Sequence, residues 1–424
     1  MHLSERVRRR LRGGQGLRTR RARTPRVTAP PLLDARGLRC PVPVARARAG
    51  LARLAPGLIL DLLADDPMAR LDVQAFCARE GHEYVDERPE PGGGWRMTLR
   101  RGARSPLAVI RFGDAPAGES SAAIEARVPI PSLARDLPEE VWGAEGTVEP
   151  VPLASGPAAA DGSCLFASVA TPAGAEADMT RRTFETYRGL LDELRAAGYP
   201  HLLRVWNFVP RINERSGALD RYMRFCEGRS RAFSETFGDG YAERLPAASA
   251  VGCPGDALVL HLLAARRPGR HIENPRQVPA YRYPERYGPK SPTFARATAP
   301  STASPAPVFV SGTASIVGHE SVFPGDPERQ VEETLRNIAA VLDAASVPGR
   351  GEPLASRLLS MRVYVRHAEH LPAVREAVLA GAGGTVPAAW LQADICRSEL
   401  LVEIEATARP SDAGFEVAPR AGSS

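Results

Sequence analysis

The chain reads as an α+β protein: a small two-layer β-α-β-α-β-β sandwich, then two pseudo-symmetric α+β halves. Three observations predict this. In the stretch PERQVEETLRNIAAVLDAA, Val331, Leu335, Ile338 and Leu342 recur at three- and four-residue spacing, the mark of a helix with one face on a sheet. Short apolar or alternating runs such as VFVSGTAS and ELLVEIEATA, bounded by turn residues, read as strands. The order strand, helix, strand, helix, strand, strand occurs once near the start and then twice more as an internal repeat.

Residues 1–30 come first. They are Arg-rich, with Glu5 as the only acid before residue 27, and contain no apolar core, so they read as a disordered basic tail. The whole chain carries +6 at pH 7, and much of that excess sits in this tail. What remains is near neutral, so the charge gives no argument for nucleic-acid binding. No apolar run is long enough to span a bilayer, which predicts a cytoplasmic protein without a membrane partner. Six cysteines (Cys40, Cys77, Cys164, Cys226, Cys253, Cys396) without a CxxC pair point to a reducing compartment and no metal site.

Residues 31–101 open with a short strand and Cys40-Pro41, then a helix with Val44, Leu51 and Leu54 on its apolar side. A strand LILDLLAD follows, then a helix near Ala69 to Glu80, then a hairpin turning at Pro89 to Gly94. Unpaired amides at the helix start should stabilise a thiolate on Cys40. Residues 102–162 read as a linker and packing segment, with a strand in LAVIRFGD and a short helical piece around Pro131 to Val141.

The repeat occupies 163–270 and 308–410. The first copy runs SCLFASVA, a helix over MTRRTFETYRGLLDELRAAG, HLLRVWNFV, a helix from Leu219 to Phe237, then LPAASAVG and DALVLHLLAA. The second runs VFVSGTAS, the helix described above, LLSMRVYVR, a helix from His370 to Leu379, then PAAWLQADIC and ELLVEIEATA. Between them lies 271–307, dense in Arg, Tyr, Asn and Gln and too rich in proline for a helix. Such a loop at the junction of two copies suits a small anionic ligand. It also reads as a solvated segment tied down by salt bridges. The turn after VFVSGTAS presents His319 and Glu320, and a carboxyl at that strand end can serve as a general acid. Residues 411–424 read as a flexible C-terminus.

Three resemblances follow from these stretches. LDARGLRCPVPV, Asp65-Asp66-Pro67 and FCAREGHE make 31–101 resemble the TusA sulfur carriers, which implies a persulfide on Cys40 and a sulfur-relay protein as partner. A docking module with an idle cysteine is the alternative. QVEETLRNIAAVL and SELLVEIEATA resemble the RidA (YjgF) family. The longer stretches LRVWNFVPRIN, RYMRFCEGRSRAF, IENPRQVPAYRYPERYGPKSPTFARA, SGTASIVGHES and LQADICRSELLVEIEA make the span from about 105 to 410 resemble the chorismatases, which carry two RidA-like halves.

The chorismatase resemblance implies an enzyme of secondary metabolism, needing no cofactor, that cleaves the enolpyruvyl ether of chorismate. The products would be pyruvate and a hydroxybenzoate, with 3-hydroxybenzoate favoured, or a trans-dihydrodiol cyclohexadiene carboxylate. Two substrate carboxylates call for planar guanidinium forks and phenol donors. Arg229, Arg282 and Arg296, with Tyr222 and Tyr281, are the expected substrate-binding residues. Glu320 is the expected acid for the enolpyruvyl methylene, with burial raising its pKa. Ala250 and Thr313 are the expected product-tuning positions. A RidA-type enamine or imine deaminase and a non-enzymatic sulfur relay through Cys40 are the competing readings.

Overall fold

In a computed structural model the described residues are 30–102, 106–113, 122–134, 139–144, 146–175, 177–301 and 306–411. The expected basic tail and C-terminus fall outside them, apart from Pro30 and Ser411. The first unit has the expected order. Leu32–Asp34 pairs in parallel with Ile59–Ala64, which pairs antiparallel with Trp95–Arg100, and that strand with Glu83–Pro89. Helices Val42–Ala52 and Ala69–Glu80 cover one face, and Leu51, Leu60, Leu62, Phe76, Met97 and Leu99 close the core between the layers.

Both repeat copies fold to the same strand order. In the first, neighbouring strands are Cys164–Pro172, Ala257–Ala265, His201–Pro210 and Ala247–Cys253; in the second, Pro307–Ala314, Val402–Pro410, Leu358–Val365 and Ala388–Gln392. The last pair of each is parallel and the rest are antiparallel. Helices Met179–Ala196, Arg221–Phe237 and Pro327–Ala344 begin at Asp178, Asp220 and Asp326. Each carboxylate accepts the third helical amide, so each start is fixed by sequence. Gly228 lets the two first-copy helices cross closely, because a Cβ there would lie 2.2 Å from the Thr180 carbonyl oxygen.

The inter-copy segment is a structured loop with short extended pieces. Arg270–Ile272 and Ala297–Ala299 add two strands to the second sheet beside Pro307–Ala314. Between them the chain makes single 3₁₀ turns at Ala280–Arg282 and Glu285–Tyr287.

The packing segment departs from expectation. No helix forms among the described residues of 131–141. Ser132–Ala134 is instead an extra strand on Ala388–Gln392. Glu139–Trp142 joins Ala108–Phe112 and Ile124–Val128 in a three-stranded sheet. Pairing to a neighbouring edge satisfies backbone groups that this short, proline-containing stretch cannot satisfy as a helix. Its Ile110, Phe112, Val128 and Ile130 share one core cluster with Phe166, Phe208 and Leu391. The first unit docks on this segment, with Arg53 Nε donating to Glu139 Oε1 at 2.9 Å.

Candidate active site

The two copies meet where the first sheet's edge strand Ala247–Cys253 lies along Pro307–Ala314. Hydroxyls bridge them: Ala247 N donates to Thr298 Oγ1 at 2.8 Å, and Ala248 N to Ser311 Oγ at 2.9 Å. Beside this seam is a cavity of about 420 Å³. The first copy supplies Asn207, Ser249, Ala250 and the helix residues Tyr222, Cys226 and Arg229 to its wall. The inter-copy segment supplies Tyr283, Tyr287, Thr293 and Arg296, and the second copy Gly312, Ala314, Cys396, Arg397 and Glu403.

Two guanidinium groups define its polar character. Arg229 is 3% exposed and stacks near the Tyr187 and Phe233 rings. Its Nη1 donates to the Thr293 carbonyl, and to Thr293 Oγ1 at 3.2 Å, while Nε and Nη2 are buried with no hydrogen-bond partner. Arg296, equally buried, donates from Nη2 to Tyr283 Oη at 2.7 Å and to the Val278 carbonyl at 3.1 Å, and its Nε is unpartnered. Neither makes an ion pair with a described carboxylate. Buried Arg204 and Arg362, by contrast, are each ion-paired. A desolvated cation with idle donors is costly, and an anionic ligand would relieve that cost.

Across the cavity stands Glu403, on the strand Val402–Pro410 and 4% exposed. Its carboxyl makes no hydrogen bond among the described residues. Burial, followed by the nearby negative Glu405, pushes its pKa up to about 8 against the pull of Arg204 and Arg296. It therefore holds a proton at neutral pH. Gly312 makes room for it, because a Cβ there would fall 2.0 Å from Glu403 Oε1. Cys396 is pushed up to about 12, chiefly by burial, and burial also raises Tyr222 well above the ordinary phenol value. Both stay neutral.

Of the residues expected from sequence, Tyr222, Arg229, Arg296 and Ala250 line this cavity. Four others do not. Glu320 lies on an exposed hairpin with its side chain 64% accessible, where Arg286 Nη2 donates to Oε1 at 2.8 Å. That pairing holds its carboxyl below the usual range, the reverse of the expected upward shift. His319 Nδ1 contacts the same Arg286 nitrogen at 2.9 Å. Arg282 is exposed, and Tyr281 packs at the margin of the first copy's core. The 3₁₀ turn at 280–282 sends Tyr283 inward instead. Thr313 is buried beside the cavity with its hydroxyl donated to the Ser311 carbonyl at 2.8 Å, while its neighbours Gly312 and Ala314 form the wall.

Cys40 precedes its helix as expected, but its thiol is pushed up rather than down. Burial is the main cause, and a hydrogen bond to Asp72 and the charge of Asp66 add to it. Cys40's own amide is held by a carboxylate, Cys40 N donating to Asp66 Oδ2 at 2.9 Å.

Residues 140–264 match the family model "Chorismatase FkbO/Hyg5-like, N-terminal", and residues 32–101 match "Sulfurtransferase TusA". A "3-hydroxybenzoate synthase" of Streptomyces hygroscopicus is 41% identical over 255 residues, 58% of this chain and 74% of that protein. A crystal structure of a chorismatase superposes with a TM-score of 0.63 at 34% identity, covering 72% of this chain and 92% of the other. A "Sulfur carrier protein TusA" of Pseudomonas paraeruginosa is 44% identical over 61 residues, 14% of this chain and 77% of that protein.

Proposed function

The chain belongs to the chorismatase family, and from that premise we propose that it cleaves the enolpyruvyl ether of chorismate to pyruvate and 3-hydroxybenzoate, with Glu403 as the acid. One observation carries the assignment. A single cavity holds a buried carboxyl that keeps its proton at neutral pH and two buried guanidinium groups without carboxylate partners. Chorismate is a dianion with an enol ether, so it presents what each of these groups lacks.

In this reading Arg229 and Arg296 hold the substrate carboxylates, assisted by Tyr222 and Tyr283. Glu403 delivers its proton to the terminal methylene carbon. Protonation at carbon is slow, so the acid must sit close, protonated and away from bulk water. Two courses then balance. In the first, the bond between the ring carbon and the ether oxygen breaks, its electron pair completing the carbonyl of pyruvate. The neighbouring ring hydroxyl oxygen closes onto the vacated carbon and gives up its proton, and the ring then opens and loses a ring proton to become the hydroxybenzoate. In the second, water adds to the oxocarbenium carbon and the hemiketal collapses to pyruvate and the dihydrodiol. Hydroxybenzoate and pyruvate together contain the atoms of chorismate with no water added, whereas the dihydrodiol product requires one water. The name of the Streptomyces hygroscopicus relative favours the aromatic product, and Ala250, on the cavity wall, is the position from which ring orientation is tuned.

The TusA-like module reads as a sulfur-carrier-like unit whose partner is a sulfur-relay protein contacting Cys40. A persulfide mass on Cys40 after incubation with a cysteine desulfurase and cysteine supports it, and an unmodified Cys40 refutes it. None of the six cysteines forms a disulfide among the described residues, in keeping with a cytoplasmic setting.

Glu403→Gln tests the acid. Turnover, followed as pyruvate release, should fall at least ~10²-fold with chorismate binding retained. In heavy water the wild type should place deuterium in the pyruvate methyl group. Turnover near the wild-type rate in the variant refutes the assignment.

A further inference from the structure

Behind the cavity, two residues along the same strand and on the same face, lies Glu405. It is enclosed by donors. Arg204 Nη2 donates to Oε2 at 2.6 Å, Ser249 Oγ to Oε2 at 2.5 Å and Trp206 Nε1 to Oε1 at 2.6 Å. Arg362 Nη1 stands 3.3 Å from Oε1, and Arg362 also forks onto Glu140, with Nε to Oε1 at 2.9 Å and Nη2 to Oε2 at 2.7 Å. Glu405, Arg204 and Arg362 are all at most 3% exposed. Buried chains of ion pairs of this kind are poor devices for stability, since apolar residues of similar volume do as well or better. The chemistry proposed above uses none of them.

We infer that Glu405 is a positioning residue for the acid: its ion-paired carboxylate repels a second negative charge on Glu403 and so holds the proton there, and Arg362 tunes that repulsion. The inference rests on Glu403 being the acid. The charged and titratable groups around Glu403 are few. Glu405 faces it from its own strand, Tyr364 from the paired strand Leu358–Val365, Arg204 from His201–Pro210, Arg296 from the segment before Ala297–Ala299, Cys396 from the loop before the strand, and Tyr222, with Arg229 on the same cavity wall, from the helix Arg221–Phe237. Arg204 and Arg296 favour the ionised form. Glu405 and burial oppose them, and Arg204 is itself tied to Glu405 at 2.6 Å. A unit charge two residues along a strand, about 7 Å away, in a medium of effective dielectric constant near 20, displaces a titration by about 1–2 pH units.

The sign is fixed by this arrangement. An acid that must be protonated gives an alkaline limb in the rate profile, and pyruvate release by the wild-type full chain should decline through its pKa of about 8. Glu405→Gln removes the repulsion and leaves two cations under-neutralised, so the limb should move to lower pH by about 1–2 units. Arg362→Met takes one cation from Glu405, strengthens the repulsion and should move the limb to higher pH. Glu140→Gln, which frees Arg362's charge, should move it slightly lower. Opposite displacements cannot come from a general loosening of the fold. Should Glu405→Gln fail to fold, Arg362→Met and Glu140→Gln still decide the matter between them. Isotope-edited infrared titration of the protonated carboxyl band, identified by its loss in Glu403→Gln, gives the same readout without turnover. An unmoved limb, or displacements of one sign in all variants, overturns the inference while an inactive Glu403→Gln leaves the acid in place. If Glu403→Gln keeps wild-type turnover, the acid assignment and this inference fall together.

Discussion

Gly312→Ala is the sharpest steric probe of the acid's placement. The added methyl would stand 2.0 Å from Glu403 Oε1, 2.9 Å from its Cδ and 3.0 Å from Ser249 Cβ. An ordinary carbon contact needs about 3.5 Å, so the overlap with the carboxyl is about 1.5 Å. The clashing atoms are at the free end of a side chain, while Gly312 and Ser249 belong to packed strands. The carboxyl should therefore rotate and the strands should stay. Misplacing a reacting group by about 1 Å costs about 10²-fold in rate, and overpacking of one methyl costs about 1–3 kcal/mol of stability. The expected result is a folded protein with kcat lowered about 100-fold, KM changed far less and a modestly lower Tm. Pyruvate release coupled to lactate dehydrogenase measures the first two, and thermal denaturation the third. A Gly312→Ala enzyme with wild-type kcat would show that the Glu403 carboxyl is not where the reaction needs it, and the steric reasoning would fail with it.

Three further expectations follow. Arg229→Lys and Arg296→Lys keep the charge but lose the planar fork, so KM should rise by an amount equivalent to about 1–3 kcal/mol in each; unchanged KM in both variants places the substrate carboxylates elsewhere. Glu320→Gln breaks only an exposed pair with Arg286, screened by water and salt, so kcat should stay close to wild type, and a hundredfold loss would return the acid to Glu320. Arg53→Ala removes one of two cations from buried Glu139, the other being Arg111 at 3.2 Å. That should destabilise the protein by about 1–2 kcal/mol, and an unchanged denaturation midpoint would show that the docking of the first unit does not depend on this pair.

Much of the fold was legible because its signals are local. Three aspartates mark three helix starts, periodic leucines and valines mark the faces, and the repeat supplies each assignment twice. The stretch 131–141 was not legible, since its strands form only by pairing with edges distant in sequence, Ala388–Gln392 and Ala108–Phe112. At the site, Arg229, Arg296 and Tyr222, which the chorismatase resemblance implied for a dianion, lie on the cavity wall. Tyr281 and Tyr283 could not be told apart, because a single 3₁₀ turn sets which one faces inward. Glu403 was hidden by a correct rule. Alternation in LVEIEATA reads as a strand with one polar face, and such faces ordinarily meet water. Here that face is covered by the other copy. The available hint was Gly312, a glycine inside a strand, which often marks the close approach of another group.

The two copies differ at matching positions in a way that yields an acid on one side only. In the second copy Glu403 pairs with Tyr364 and Glu405 with Arg362. The matching pairs in the first copy are Val259 with Phe208 and His261 with Trp206. A valine thus stands where the acid would be, and a buried histidine, its pKa pushed down to about 4 mainly by burial, stands in place of the charged glutamate. The packing segment covers that second face, with the Arg127 carbonyl 3.0 Å from His261 Nε2 and Ile110, Phe112 and Val128 packed alongside. Duplication supplied two equivalent sheet faces. One was closed with apolar residues and a neutral ring; the other kept a carboxyl, a charged neighbour and an opening lined by arginine. Chemistry that needs one proton donor and one oriented dianion requires no more than that.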